Sequence, residues 1–455
     1  MNRRISQQDL ETEIRSYLAG AGAPEPASLG DVLDRLPDRA GASRWSSPRV
    51  AAFPSLVRFA AVAIVLSLVA AAVGLPLMLS RPGPIAPGQT SSPESSVASP
   101  SPVATATLAA GTFVPTGSMM SSRSGATATL LSDGRVLIAG GWGDNSTPLA
   151  SAELYDPATG KFSPTGSMTT ARNGTATLLP DGRVLFAGGT DDTGTIASAE
   201  LYDPSTGKFS LTGSMTVARA SQTATLLPTG RVLIAGGAGR DGMALGSAEL
   251  YDPATGKFSP TGSMTVARMT QAATLLSDGR VLIAGGATTT GTPATGIHAS
   301  ALTSAELYDS ATGKFSPTGS MTAAREGPIT TLLSDGRVLV TGGSDQVGAL
   351  VSAELYDPAT GRFSLTGSMT IGQSLTTATR LSDGRVLIAG GWVPFAPLAT
   401  IELYDPSTGT FSPTGSMSTG RSGPTATLLP DGRVLIAGGV GAGNAALASA
   451  ELYQP

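Results

Sequence analysis

The tripeptide Gly-Ser-Met recurs seven times, starting at Gly117, Gly166, Gly213, Gly262, Gly319, Gly367 and Gly415, so successive copies lie 49, 47, 49, 57, 48 and 48 residues apart. A repeat of that length is one supersecondary unit that cannot bury its own apolar face. The chain must therefore stack its copies into a solenoid or a propeller. Within each copy the order is fixed: an Arg-led segment (ARNGTATLLP), then DGRVLFAGG, a variable loop, ASAELYDPSTG and KFSLTGSM. Each piece is short, rich in β-branched or aliphatic residues and bounded by turn formers, which predicts four antiparallel strands per copy. Asp181-Gly182 suits a tight hairpin, and Asp156 to Gly160 (DPATG) suits a Pro-initiated turn ending in glycine. Radial stacking buries the faces of neighbouring sheets and protects their edges.

These units resemble kelch repeats. The resemblance rests on the Gly-Gly pair closing the second strand (RVLIAGG), the Tyr of the third (AELYDP) and the aromatic of the fourth (TGKFSP), and covers residues 112–455. It implies an all-β, seven-bladed kelch-type β-propeller. Where kelch units usually place Trp in the last strand, this chain has Phe113, Phe162, Phe209, Phe258, Phe315, Phe363 and Phe411. The repeat region opens on a lone fourth strand (TFVPTGSM) and stops after a lone third strand (ASAELYQP). The two ends are thus expected to share the seventh blade and close the ring.

Three segments precede the repeats. Residues 1–55 carry two short amphipathic stretches, one capped by Ser6 and Asp9 with Leu10, Ile14, Tyr17 and Leu18 on one face, the other with Leu29, Val32, Leu33 and Leu36. Within residues 56–80 lies FAAVAIVLSLVAAAVGLPLML, Phe59 to Leu79, 21 uncharged residues and long enough for one transmembrane helix. Arg39, Arg44, Arg49 and Arg58 precede it and Arg81 follows, so the positive-inside bias predicts a single-pass bacterial membrane protein, N-terminus cytoplasmic and repeats extracytoplasmic. Its 58-residue leader favours an uncleaved anchor over a signal peptide, although the small residues at Ala70 to Ala72 leave cleavage open. Residues 81–111 are Ser-, Pro- and Thr-rich and read as a disordered linker.

Composition removes most chemistry. There is no Cys and a single His, so thiol catalysis and any metal site needing two imidazoles are excluded. A net charge of -4 argues against nucleic acid. Galactose oxidase, an enzyme with a kelch-like propeller, builds its copper site from Tyr, His and a Cys-linked Tyr. That site does not carry over here, where His298 stands alone in the longest inserted loop. No Asp-box turns of the sialidase kind occur, and no cofactor or metal is expected.

Ring closure would turn each repeated position into a circle of like side chains. Arg123, Arg172, Arg219, Arg268, Arg325 and Arg421, with Gln373 as the exception, lead the first strand. They form a candidate channel-mouth ring able to grip carboxylates, sulfates or acidic sugars. The competing reading pairs them with the repeated third-strand Glu153, Glu200, Glu249, Glu306, Glu354, Glu402 and Glu451, and is favoured because six unpaired cations in one channel would repel. Trp142, Trp392 and Phe395 are candidate loop contacts for a sugar or peptide; for Trp142 the favoured reading is the aromatic that often follows Gly-Gly in kelch units. The loops after Gly-Gly differ in every copy while the opposite turns are nearly identical. That contrast predicts a binding or adhesion module for an extracellular protein or glycan, not an enzyme. The alternatives are an envelope carbohydrate-active enzyme using the Arg and Glu positions, and a transmembrane sensor with a cytoplasmic partner, a layout shared with membrane-bound anti-sigma factors.

Overall fold

A computed structural model describes residues 111–455 apart from 293–295 and 394–395. The predicted N-terminal helices, the transmembrane span 56–80 and most of the linker 81–111 lie outside the described residues, as does Phe395. Among the described residues no helix is long and apolar enough to cross a membrane.

Seven antiparallel blades fill this region, six of them four-stranded sheets and blade 2 carrying a short fifth strand, Gly194–Thr195. Blade 1 runs from the innermost strand Thr127–Leu130 through Val136–Ala139 and Ala152–Asp156 to the outermost strand Lys161–Pro164. Blades 2 to 6 repeat this plan, starting at Asn173, Thr223, Ala272, Ile329 and Thr377. Blade 7 is composite. Thr425–Leu428, Val434–Ala437 and Ala450–Gln454 come from the end of the chain, and the outermost strand is Thr112–Pro115, registered Thr112 to Gln454 and Pro115 to Glu451. The closure expected from the two half-blades is therefore present. Each innermost strand also touches those of both neighbours, blade 7 meeting blade 1.

The core is divided among the seven interfaces between blades rather than gathered at one centre. The pleat of each second strand sends alternate side chains to opposite neighbours. Val136 and Ile138 pack with Leu429, Leu435 and Leu452 of blade 7, whereas Leu137 and Ala139 pack with Val184, Phe186 and Tyr202 of blade 2. A strand buried on both faces must be apolar at every position, which is why the second strand reads VLIA without alternation. The third-strand tyrosines are fully buried. Each stacks on the fourth-strand Phe of its blade, as Tyr155 does on Phe162 with ring centres 4.9 Å apart.

The seven-fold Thr-Gly-Ser-Met motif fastens adjacent blades. Thr116 Oγ1 shares a 2.8 Å hydrogen bond with the Tyr155 hydroxyl of the next blade, and Gly117 N donates to Gly160 O. A Cβ at Gly117 would stand 2.5 Å from that carbonyl, so only glycine allows the approach. Met119 then fills the interface below.

Candidate functional site

One face of the ring gathers the segments that lead into each blade and the loops that follow Gly-Gly. Antiparallel bridges join Ser124 to Trp142, Ala220 to Ala238, Met269 to Ala287, Glu326 to Ser344, Ser374 to Trp392 and Ser422 to Val440. The opposite face carries the Asp-Gly hairpins and the Asp-Pro-x-Thr-Gly turns. There Arg183, Arg280 and Arg433 reach across to Pro253 O, Pro358 O and Pro157 O of the following blade. These arginines are also bound to the Asp two residues before them: Arg183 Nη2 lies 2.6 Å from Asp181 Oδ2.

The geometry corrects the reading of the repeated first-strand arginines as an open ring. The side chains of Arg123, Arg172, Arg219, Arg268, Arg325 and Arg421 are 0% exposed. Each lies in the segment just ahead of its innermost strand, and its side chain turns into its own blade. Arg219 shows the arrangement: Nη1 donates to Gly236 O and Ser247 O, and Nη2 donates to Ser247 Oγ and to Glu249 Oε1 at 3.0 Å. Its backbone faces the other way, N donating to Ile196 O and O accepting from Gly189 N, both in blade 2. Each arginine is therefore a clamp between blades. The glutamate's remaining lone pairs accept backbone N–H groups, Thr216 N and Val217 N for Glu249. Burial pushes Arg172, Arg219, Arg268, Arg325 and Arg421 below the usual arginine range, and the facing glutamate pulls each back. A guanidinium held this way has no free donor fork to offer an external anion.

Gln373 takes the same backbone place in blade 6 and is fully buried. The aromatic candidates separate. Trp142 and Trp392 are both half-buried, each directly after Gly-Gly, with their backbones bridged to the segment that leads into their blade. Their shared position fits the aromatic that often follows Gly-Gly. His298 is exposed on a two-stranded hairpin, Ala287–Thr292 with Gly296–Ala301, grown from the blade 4 insertion. That hairpin leans on blade 3, where Ala244 N donates to Thr289 Oγ1.

Sequence reading missed two features of this face. Three non-glycine residues two positions after the repeated Arg or Gln adopt left-handed backbone, Ser221, Thr270 and Leu375, each with φ of 54°. Gly125, Gly327 and Gly423 stand at the equivalent places, and that alignment was the signal available. Inter-blade hydrogen bonds hold them: Thr270 N donates to Ser221 O, Gly327 N to Thr270 O and Gly423 N to Leu375 O. The second feature is Glu326, half-buried beside Arg325, whose carboxyl burial pushes up. Among the described residues no group of three or more His, Cys, Asp or Glu is placed to hold a metal ion.

Comparison with known proteins agrees with the ring. The kelch motif model matches residues 123–169. No curated protein matches the sequence. Among solved structures, the chain is similar to a fungal alcohol oxidase of the AA5 family in complex with copper, with a TM-score of 0.61, 19% identity and 75% of each chain covered. At that identity the likeness is one of fold. Residues 112–455 thus form a seven-bladed β-propeller, of which residues 123–169 match the kelch motif.

Proposed function

We propose that the propeller is a binding module whose ligand, an extracellular protein or glycan, docks on the face bearing the loops after Gly-Gly. One observation carries this reading: the scaffold repeats almost residue for residue while those loops diverge most, from WGDNSTPL in blade 1 to SDQVGAL in blade 5. Kelch propellers commonly bind proteins, and the exposed side chains of Met120, Val347, Val351 and Leu375 give this face apolar contact area. The buried Arg–Glu pairs act as its rigid support. The apolar span at 56–80 supports tethering in a bacterial membrane with the propeller outside, on the linker 81–111.

Protein and glycan arrays probed with the full chain test the reading. Binding is expected, and exchange of the blade 5 loop Ser344–Val351 for a Gly-Ser linker should weaken it, whereas changes to the opposite turns should not. Ligand capture through the turn face, or release of a cleaved or oxidised product, would overturn it.

A further inference from the structure

Blade 6 breaks the pattern that holds the other six. Glu402 is buried like its counterparts, yet no arginine faces it. Among the described residues its carboxylate accepts hydrogen bonds from Thr370 alone, through N and Oγ1. Gln373, in the arginine's place, does not reach it: Nε2 rests 3.8 Å from Met369 Sδ, and the buried Oε1 has no partner. Thr400 stands where all six other blades place a serine whose hydroxyl accepts from the arginine, as Ser247 does for Arg219, and among the described residues its buried Oγ1 is also unpartnered. The backbone carbonyls of Gly390 and Thr400 are the counterparts of Gly236 O and Ser247 O, which accept from the Arg219 guanidinium.

A carboxylate taken out of water without a cation or sufficient donors carries a large desolvation cost. Thr370 supplies the carboxylate's only donors among the described residues, and the polar atoms left without a partner are oxygens, the Gln373 amide oxygen and the Thr400 hydroxyl, beside the two carbonyls that elsewhere accept from a guanidinium. We propose that blade 6 binds a monovalent alkali cation, sodium or potassium, where the other blades place a guanidinium. Hard cations take such all-oxygen ligand sets. The charge selects among them, since one carboxylate neutralises one positive charge and a divalent ion would leave an excess in a buried site. The ion restores the clamp that six arginines supply elsewhere.

The test compares melting of the full chain in sodium, potassium and tetramethylammonium chloride at equal ionic strength of about 0.15 M. Sodium or potassium should raise the wild-type Tm by about 2 °C or more over tetramethylammonium. Gln373→Arg, which supplies its own guanidinium, should melt higher in tetramethylammonium and lose the cation dependence. Rubidium soaked into crystals should give an anomalous peak beside the Glu402 carboxylate. Equal melting of the wild type in all three salts, an unchanged cation shift in Gln373→Arg, or a rubidium-soaked blade 6 without a peak would each overturn the proposal.

Discussion

Most blades hold two arginine–carboxylate pairs, one toward each face of the ring, and they differ in almost everything except charge. Toward the loop face Arg219 and Glu249 are sealed from water, separated by 30 residues in the chain, and surrounded by carbonyls and N–H groups that take up every valence except the Arg219 Nε–H. Toward the turn face Arg135 and Asp133 are neighbours two residues apart, with side chains 37% and 43% exposed. The same chemistry thus performs two tasks. The buried pair fixes how one blade meets the next, while the exposed pair braces a hairpin that its Asp-Gly sequence already favours. Backbone conformation follows the same division, because the left-handed residues of the repeated hairpins and turns are glycines, whereas Asn145, Ser221, Thr270, Leu375 and Asn444 all belong to the loop face. Strain is carried where the copies diverge.

Breaking a buried pair should give the largest effect. Arg219→Ala leaves Glu249 without its cation and three blade 3 acceptors without a donor, which should cost about 3–5 kcal/mol. Chemical denaturation of the full chain reads this directly. Arg219→Met combined with Glu249→Leu removes both charges and should cost less than Arg219→Ala alone. If the double variant were as damaged as the single one, the clamp would owe its stability to shape rather than charge.

A smaller effect of opposite sign is expected at Leu375. Its side chain is 60% exposed, so truncation removes little apolar burial, while its φ of 54° costs an L-residue about 1–2 kcal/mol. Leu375→Gly relieves that strain but loosens the unfolded chain by about 0.5–1 kcal/mol. The net expectation is stabilisation of about 0.5–1 kcal/mol, measured as a higher denaturation midpoint. The same change at Met120, exposed on the same face but without positive φ, should not stabilise. Where the loop-face strain serves binding, Leu375→Gly should also weaken capture of the array ligand.

The sequence carried the ring itself, since period, Gly-Gly, Tyr and the two half-blades each map onto a distinct physical requirement of a closed propeller. The partner of each repeated Arg was left between two readings because spacing alone does not say to which side a strand turns a side chain. The arginines lie in the segment ahead of the innermost strand, where the two-residue alternation of a strand does not fix the side. The links from Arg183, Arg280 and Arg433 to the next blade's Pro carbonyl were not legible, because they join residues 70, 78 and 276 positions apart with no matching pattern in either segment. The left-handed backbone of Leu375 escaped notice because leucine is among the last residues composition would assign there. The isolation of Glu402 was half visible, as the one Gln in a column of Arg, but only three-dimensional register shows that Thr400 shares its place.

The smallest expected effect lies on the turn face and has a definite pH dependence. The hydrogen bond from Arg135 holds Asp133 below the usual carboxylate range, partly opposed by desolvation, and Asp278 is held in the same way by Arg280. A carboxyl whose folded pKa is depressed stabilises the native state above its unfolded pKa of about 3.9 and loses that contribution as pH falls through the folded value. Because both partners are more than a third exposed, water and salt screen the pair to below about 1 kcal/mol. Asp133→Asn should therefore lower the melting temperature slightly at pH 7, with the gap to wild type closing as both proteins are acidified below the carboxylate range. Salt should close it too, whereas the loss in Arg219→Ala should persist in salt, since a pair sealed from solvent is not reached by mobile ions. A difference of equal size for Asp133→Asn at acidic and neutral pH would mean that the hairpin needs the Asp side chain for its shape, as an acceptor from Arg135 N, and not for its charge.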